Sequence, residues 1–323
     1  RVSNTVSTVS QCNGYGANTA HGVVAKGSQR SGRRRACGIQ HTYATLSVVE
    51  MNDSKSALNA IVSHKIEVAP GLIVLRVVPD GWPLPEFLPG QFAVLGLPPE
   101  AARCTTSDPD EGEPKPGNLI RRAYSIASSS VSKEYFEFYI NLVHSGLLTP
   151  RLFALRPGDR VWLGAKIAGL FTLERAPAGA NIVLVATGTG LAPYMSMLRT
   201  NLADGGGRRF AALLGARHSW DLGYHAEMMT MERLCDDFHY IPTISRPDEE
   251  VVPWTGRVGY VQQLWQQAVV DRAWGFPPTP TNSRVFLCGN PSMIDDMVEL
   301  LAEDGFREKS RTHPGEVFVE RYW

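Results

Sequence analysis

The sequence predicts two domains, an antiparallel Greek-key β-barrel followed by an α/β domain with a doubly wound parallel sheet. At 323 residues the chain is long enough to bury two cores. Between residues 60 and 163 it falls into short β-type runs separated by Pro- and Gly-bearing turns, the pattern of a closed or nearly closed barrel. From residue 181 the period alternates between strand and helix, which predicts parallel strands joined by helical crossovers. The stretch Glu174-Arg175-Ala176-Pro177-Ala178-Gly179-Ala180 reads as a connection, so the expected division is 51–176 and 177–323.

Residues 1–50 have no sustained apolar period, are rich in Ser, Thr and Gly, and hold six basic residues against the single acid Glu50. They read as a non-globular leader. An organelle-targeting peptide and upstream sequence joined ahead of Met51 both fit, and the second is favoured. In the first domain, strands are predicted over 60–68, 72–78, 91–95, 123–127, 135–143 and 160–163. Pro89-Gly90 and Arg156-Pro157-Gly158-Asp159 are the turns that deliver the third and sixth strands. Residues 98–118, with five Pro and several acids, are expected to form a surface loop. Thr149 and Pro150 predict a short helix, with Thr149 as N-cap and Pro150 at the first position. In the second domain strands are predicted over 181–186, 210–216, 239–245, 284–288 and 316–320, and helices over 191–202, 222–235, 260–270 and 292–302.

Composition sets limits on function. No run approaches the ~18 apolar residues of a membrane span, so no membrane insertion is expected. Cys12, Cys37, Cys104, Cys235 and Cys288 lack C-x-x-C or zinc-like spacing, which argues against a disulfide framework, a bound metal and an iron–sulfur cluster. Reduced thiols fit a cytoplasmic protein, or an organellar one if residues 1–50 are a targeting peptide. The acidic excess beyond residue 50 gives no support to nucleic-acid binding.

Four stretches carry candidate chemistry. Arg121-Arg122-Ala123-Tyr124-Ser125 places a cation and an aromatic ring on one side of an extended chain and a hydroxyl on the other, a set suited to a flavin dinucleotide. Alone it reads more readily as a strand with a half-buried Tyr and a solvated Arg. The start of the helix at Leu148 and Thr149 offers backbone amides to a phosphate, or is an ordinary capped helix. Thr187-Gly188-Thr189-Gly190, between a strand and a helix, lets the backbone approach a pyrophosphate. Arg217, Ser245, Arg246 and Arg257 sit at or just beyond predicted strand ends, where planar guanidinium groups would favour the 2′-phosphate of NADP.

In order along the chain these stretches resemble the ferredoxin–NADP reductase family. The resemblance runs from about Ile61 to Trp323 and rests on R-x-Y-S at Arg122 to Ser125, T-G-T-G-x-x-P at Thr187 to Pro193, the arginine ends, C-G-N-P at Cys288 to Pro291, and the aromatic terminus. Pro247 stands where the family often has Glu. The resemblance implies FAD in the barrel, held by Arg122, Ala123, Tyr124, Ser125, Leu148 and Thr149, with Tyr322 and Trp323 covering the flavin and the adenine. It implies NADP(H) on Thr187, Gly188, Thr189, Gly190, Arg217, Ser245, Arg246, Arg257 and Asn290. Ser125, Glu320, Cys288 and Tyr322 are the implied residues around the reacting rings, Cys288 without a nucleophile's role. The activity implied is hydride exchange between NADP(H) and FAD, with single electrons passed to or from ferredoxin or flavodoxin by a monomer. A reductase component of an oxygenase and a non-enzymatic flavin-binding electron-transfer subunit are the alternatives.

Overall fold

In a computed structural model of the protein, the structure describes residues 58–110, 117–202, 207–310 and 312–321. The readings placed on residues 1–50 and on Tyr322 and Trp323 lie outside the described residues.

The first half is an antiparallel sheet. Strand β1 (Ala60–Ala69) turns at Pro70-Gly71 into β2 (Leu72–Pro79), and Gly71 takes the left-handed φ of 72° that the tight turn requires. Strands β3 (Phe92–Leu97), β4 (Ile120–Ser125) and β5 (Phe136–Asn141) follow, then helix α1 (Thr149–Ala154) and β6 (Arg160–Leu163). The order β4-β3-β6-β1-β2-β5 is curled so that its two edges approach, and the bridge Ile126–Phe138 joins the exit of β4 to β5. Inside lie Val62, Leu75, Leu95, Phe136, Phe138 and Val161, supplied at alternate positions by strands whose β-branched and aromatic residues suit the pleat.

The second half begins with β7 (Asn181–Thr187), a 3₁₀ turn over Gly188–Leu191, and α2 (Ala192–Asn201). Strand β8 (Phe210–Ala216), helix α3 (His225–Leu234), β9 (Phe238–Ile244) and the two-residue β10 (Arg257–Val258) come next. Helices α4 (Val261–Gln266) and α5 (Val269–Trp274) lead to β11 (Ser283–Cys288), α6 (Pro291–Glu303) and β12 (Val317–Glu320). All pairings in the order β10-β9-β8-β7-β11-β12 are parallel. The order reverses direction at β7, so the carboxyl ends of β7, β8 and β11 frame the crevice where such sheets bind ligands.

Two local expectations need correction. Thr149 is not the cap of α1: the N-cap position is Leu148, and the Thr149 hydroxyl is instead tied to the backbone of Val143, donating to its oxygen at 3.2 Å and accepting from its nitrogen at 3.1 Å. The bond to Val143 orients the helix against the preceding strand exit. The helix expected over 260–270 is two helices. Ala268 adopts φ 51°, turning the chain so that Val269, Val270 and Trp274 join Leu264 and Trp265 in one apolar cluster. Burial of large side chains outweighs the cost of a left-handed alanine there.

The two sheets share a core. The apolar cluster on one face of the parallel sheet includes Leu72, Val74 and Tyr139 from the barrel. Beside it Glu137, 1% exposed, meets Arg76 and Arg199, each at 2.7 Å, and accepts from the Tyr224 hydroxyl at 2.8 Å. Arg199 also holds Glu227 at 2.7 Å, so this charge network ties β5 to α2 and α3. Burial opposes ionisation of Glu137, but the Arg199 and Arg76 guanidiniums outweigh it and hold the carboxyl below its usual range.

Candidate functional site

Strand β4 brings its functional side chains to the seam of the barrel. Arg122 and Tyr124 lie opposite Leu95 and Ala93, both fully buried, so they belong to the inward side of β4. Because β4 is an edge, that side opens toward β5: Arg122 is exposed, while Tyr124 is half-buried with its ring edge-on to Phe138. Burial raises the Tyr124 phenol well above its ordinary pKa, so it stays a neutral aromatic surface. Ala123 is exposed between them, and Ser125 is buried on the opposite side, paired with Phe92. Leu148 is buried at the start of α1 and Thr149 is half-buried.

The residues 98–110 are tied to α1 by a feature that composition did not announce. Arg151, 2% exposed, donates to the carbonyls of Pro99 and Leu147 and pairs with Asp110, which Arg103 also holds at 2.5 Å. A buried guanidinium with every donor direction occupied fixes this segment against the helix instead of leaving it a free surface loop.

On the second half, Thr187, Gly188, Thr189 and Gly190 line a cleft of about 910 Å³ together with Arg217, Ser245 and Asn290. Glycine is required at 190, since a Cβ there would run into the Cys288 carbonyl oxygen. Gly289, at φ 143°, passes just as closely to Thr187. The Thr187 hydroxyl accepts from the Asn290 amide at 2.9 Å and locks the two turns together. Asn290 itself is the N-cap of α6, its side-chain oxygen accepting from Ser292 and Met293. That role consumes its acceptor and leaves its amide group for a ligand.

Arg217 follows β8, Ser245 and Arg246 follow β9, and Arg257 opens β10, in register with Thr243. All three arginines are exposed. Cys288 and Glu320, far apart in sequence, are register partners at the ends of β11 and β12. Cys288 is fully buried; Glu320 is half-buried, and burial pushes its carboxyl up to about 7.

The cleft also includes residues that the motifs did not indicate: Pro70, Leu72 and Asn141 from the barrel, and Tyr260, Gln262 and Asp296 from the helical side. The barrel residues carry no local signal, because their place follows from packing of the two sheets. Tyr260, read from sequence only as the start of a helix, is 67% accessible at the cleft.

The parallel half, with its glycine turn at the switch point, matches the profile of the oxidoreductase NAD-binding domain over residues 184–299. The flavodoxin/ferredoxin–NADP reductase of Shigella flexneri is 32% identical over 242 residues, 75% of this chain and 90% of that protein. The ferredoxin–NADP reductase of Azotobacter vinelandii is 28% identical, covering 73% of this chain and 86% of its own length. Among solved structures, a ferredoxin NADP⁺ reductase from Neisseria gonorrhoeae with bound FAD and NADP superposes with a TM-score of 0.66 at 21% identity, over 82% of this chain and 98% of that one. A cytochrome P450 reductase from Amycolatopsis gives 0.63 at 24% identity, over 82% of this chain and 69% of that one. This chain belongs to the flavodoxin/ferredoxin–NADP reductase family.

Proposed function

We propose that the chain is an FAD-dependent ferredoxin or flavodoxin–NADP reductase, with FAD on residues 51–176 and NADP(H) on 177–323. Its cofactors are FAD and NADP(H). The observation that carries the reading is the convergence of the glycine turn, Arg217 and Ser245 at two strand ends, and Asn290 on one cleft that the barrel also lines. Both halves fit their groups. The turn at Gly190 has no room for a side chain and presents backbone to a pyrophosphate, and the β4 seam combines an exposed guanidinium with a half-buried ring.

When bound, FAD would supply hydride exchange with the nicotinamide and the passage of single electrons to or from an iron–sulfur or flavin carrier. Arg122 neutralises the pyrophosphate, helped by the Leu148 and Thr149 amides, and Tyr124 covers one face of the ring. Ser125 orients the reactive edge. Glu320, with its carboxyl poised near neutrality, holds or yields a proton at its side-chain oxygen beside the reacting rings. Buried Cys288 shapes the nicotinamide seat through its backbone, packed against Gly190. Arg217, Ser245, Arg246 and Arg257 receive the 2′-phosphate, and Tyr322 and Trp323 complete the flavin and adenine contacts.

The test is reduction of the purified flavoprotein by NADPH in stopped flow, followed by electron transfer to a panel of ferredoxins and flavodoxins. Reduction with turnover on either carrier supports the reading. Reduction that stalls without a carrier of either type, yet turns over with an oxygenase component, would favour the oxygenase reductase; no reduction would favour a non-enzymatic subunit.

A further inference from the structure

The arginines proposed for the 2′-phosphate do not stand alone. Arg217 Nε is 3.8 Å from Asp221 Oδ2, and Arg246 Nη1 is 3.4 Å from Glu249 Oε1. One side chain joins the two carboxylates. His218 Nδ1 is 3.1 Å from the same Asp221 oxygen, and its Nε2 is 2.7 Å from Glu249 Oε2. The ring lies flat on Trp220, centroids 4.4 Å apart at 9°. Glu250 completes the surroundings, accepting from both the backbone amide and the hydroxyl of Ser219 at 2.6 Å. Asp221 itself lines the cleft. A seat for a dianion that carries carboxylates opposes its own ligand unless their charge is taken up by another group.

We propose that His218 is a specificity-determining residue for the 2′-phosphate. With both ring nitrogens protonated it draws Asp221 and Glu249 to itself and leaves Arg217 and Arg246 to the phosphate. When neutral it returns the carboxylates to the arginines, and discrimination between phosphorylated and unphosphorylated nucleotide weakens. The hydrogen bond to Glu249, with Asp221 adding, raises the ring's pKa above its ordinary value, so the protonated form reaches toward neutral pH. The inference rests on the assignment of these arginines to the 2′-phosphate.

The test is calorimetric binding of 2′,5′-ADP and of 5′-AMP to the holoprotein between about pH 6 and pH 8.5, for the wild type, His218→Gln and Glu249→Gln. The phosphate's own second ionisation, near pH 6, weakens binding in acid for every protein alike, so the informative quantity is the ratio of wild type to variant. That ratio for 2′,5′-ADP with His218→Gln is expected near one at the alkaline end, rising to about two- to five-fold at the acid end, with 5′-AMP unaffected. Glu249→Gln, which removes one opposing charge outright, is expected to tighten 2′,5′-ADP by about two- to five-fold at the alkaline end and less in acid. If the wild type prefers 2′,5′-ADP but both variants match it at every pH, the role of His218 is overturned while the phosphate site stands. If the wild type binds the two nucleotides equally, the phosphate assignment falls and this inference with it.

Discussion

At the scale of single residues, the site depends on how burial and fixed charge set each group's state. Glu320 is the clearest case. Its carboxyl titrates near 7 in the folded protein against an unfolded value near 4.5, so the fold favours the neutral form. Stability from this group is full below the unfolded pKa and is lost as pH rises through about 7. Replacing it with Gln is expected to raise the thermal midpoint above neutral pH, by on the order of 2 kcal/mol in stability, with little change near pH 5. In the proposed chemistry the same substitution should remove an inflexion near pH 7 from the rate of flavin reduction. A thermal pH series and a stopped-flow pH profile of one variant check both. Arg122→Ala is expected to weaken FAD retention by about 1.5 to 3 kcal/mol, since a charge-assisted pair to pyrophosphate is lost; flavin occupancy after dialysis reports it. Replacing Arg246 and Arg257 by Ala together should raise KM for NADPH and leave that for NADH nearly unchanged, and steady-state kinetics with both nucleotides separates this from a folding defect.

At the scale of elements, the glycine turn works because two chain segments share one space. Gly190 packs on the carbonyl of Cys288 at the end of β11, and the Thr187 hydroxyl reaches the Asn290 amide at the start of α6. Gly190→Ala is expected to push those turns apart, costing about 1 to 3 kcal/mol of stability and NADP binding together. Thermal unfolding alongside NADP titration should register both losses; an unchanged nucleotide affinity would detach the turn from the pyrophosphate. The turn, its strand and its helix were legible from sequence because Gly, strand period and Pro193 act over a few residues. Helix α4 and α5 were not, since the break at Ala268 answers to Trp265 and Val270 packing on the sheet, and no Gly or Pro marks it. Nor was the true cap of α1, where Thr149 turns back to Val143.

At the scale of the whole molecule, a buried ionic cluster set in apolar packing helps join the barrel to the α/β sheet. Glu137 sits between Arg76 and Arg199 with Tyr224 as a further donor. Removing the carboxylate takes one partner each from Arg199, Arg76 and Tyr224, while Arg199 keeps Glu227 and the Ala127 carbonyl, so Glu137→Ala is expected to cost about 1 to 3 kcal/mol, read as a lowered urea midpoint. Its folded pKa is depressed, so the stability it gives is present above the unfolded pKa and is lost as pH falls through the folded one. The wild type should therefore lose stability in acid more steeply than the Ala variant.

Sequence by itself determined the two fold classes, their order, and the residue types of the candidate site. Periodicity, turn chemistry and short motifs are local, and each is written within a few consecutive positions, as in Arg122 to Ser125 or Thr187 to Gly190. Tertiary structure alone decided which distant residues meet. It pairs Cys288 with Glu320 by strand register, turns Arg151 inward onto Pro99 and Asp110, and brings Leu72 and Asn141 to a cleft of the other sheet. It also sets His218 between Asp221 and Glu249. The physical reason is that burial, desolvation and charge pairing depend on what lies across space, and neighbours along the chain carry little record of it.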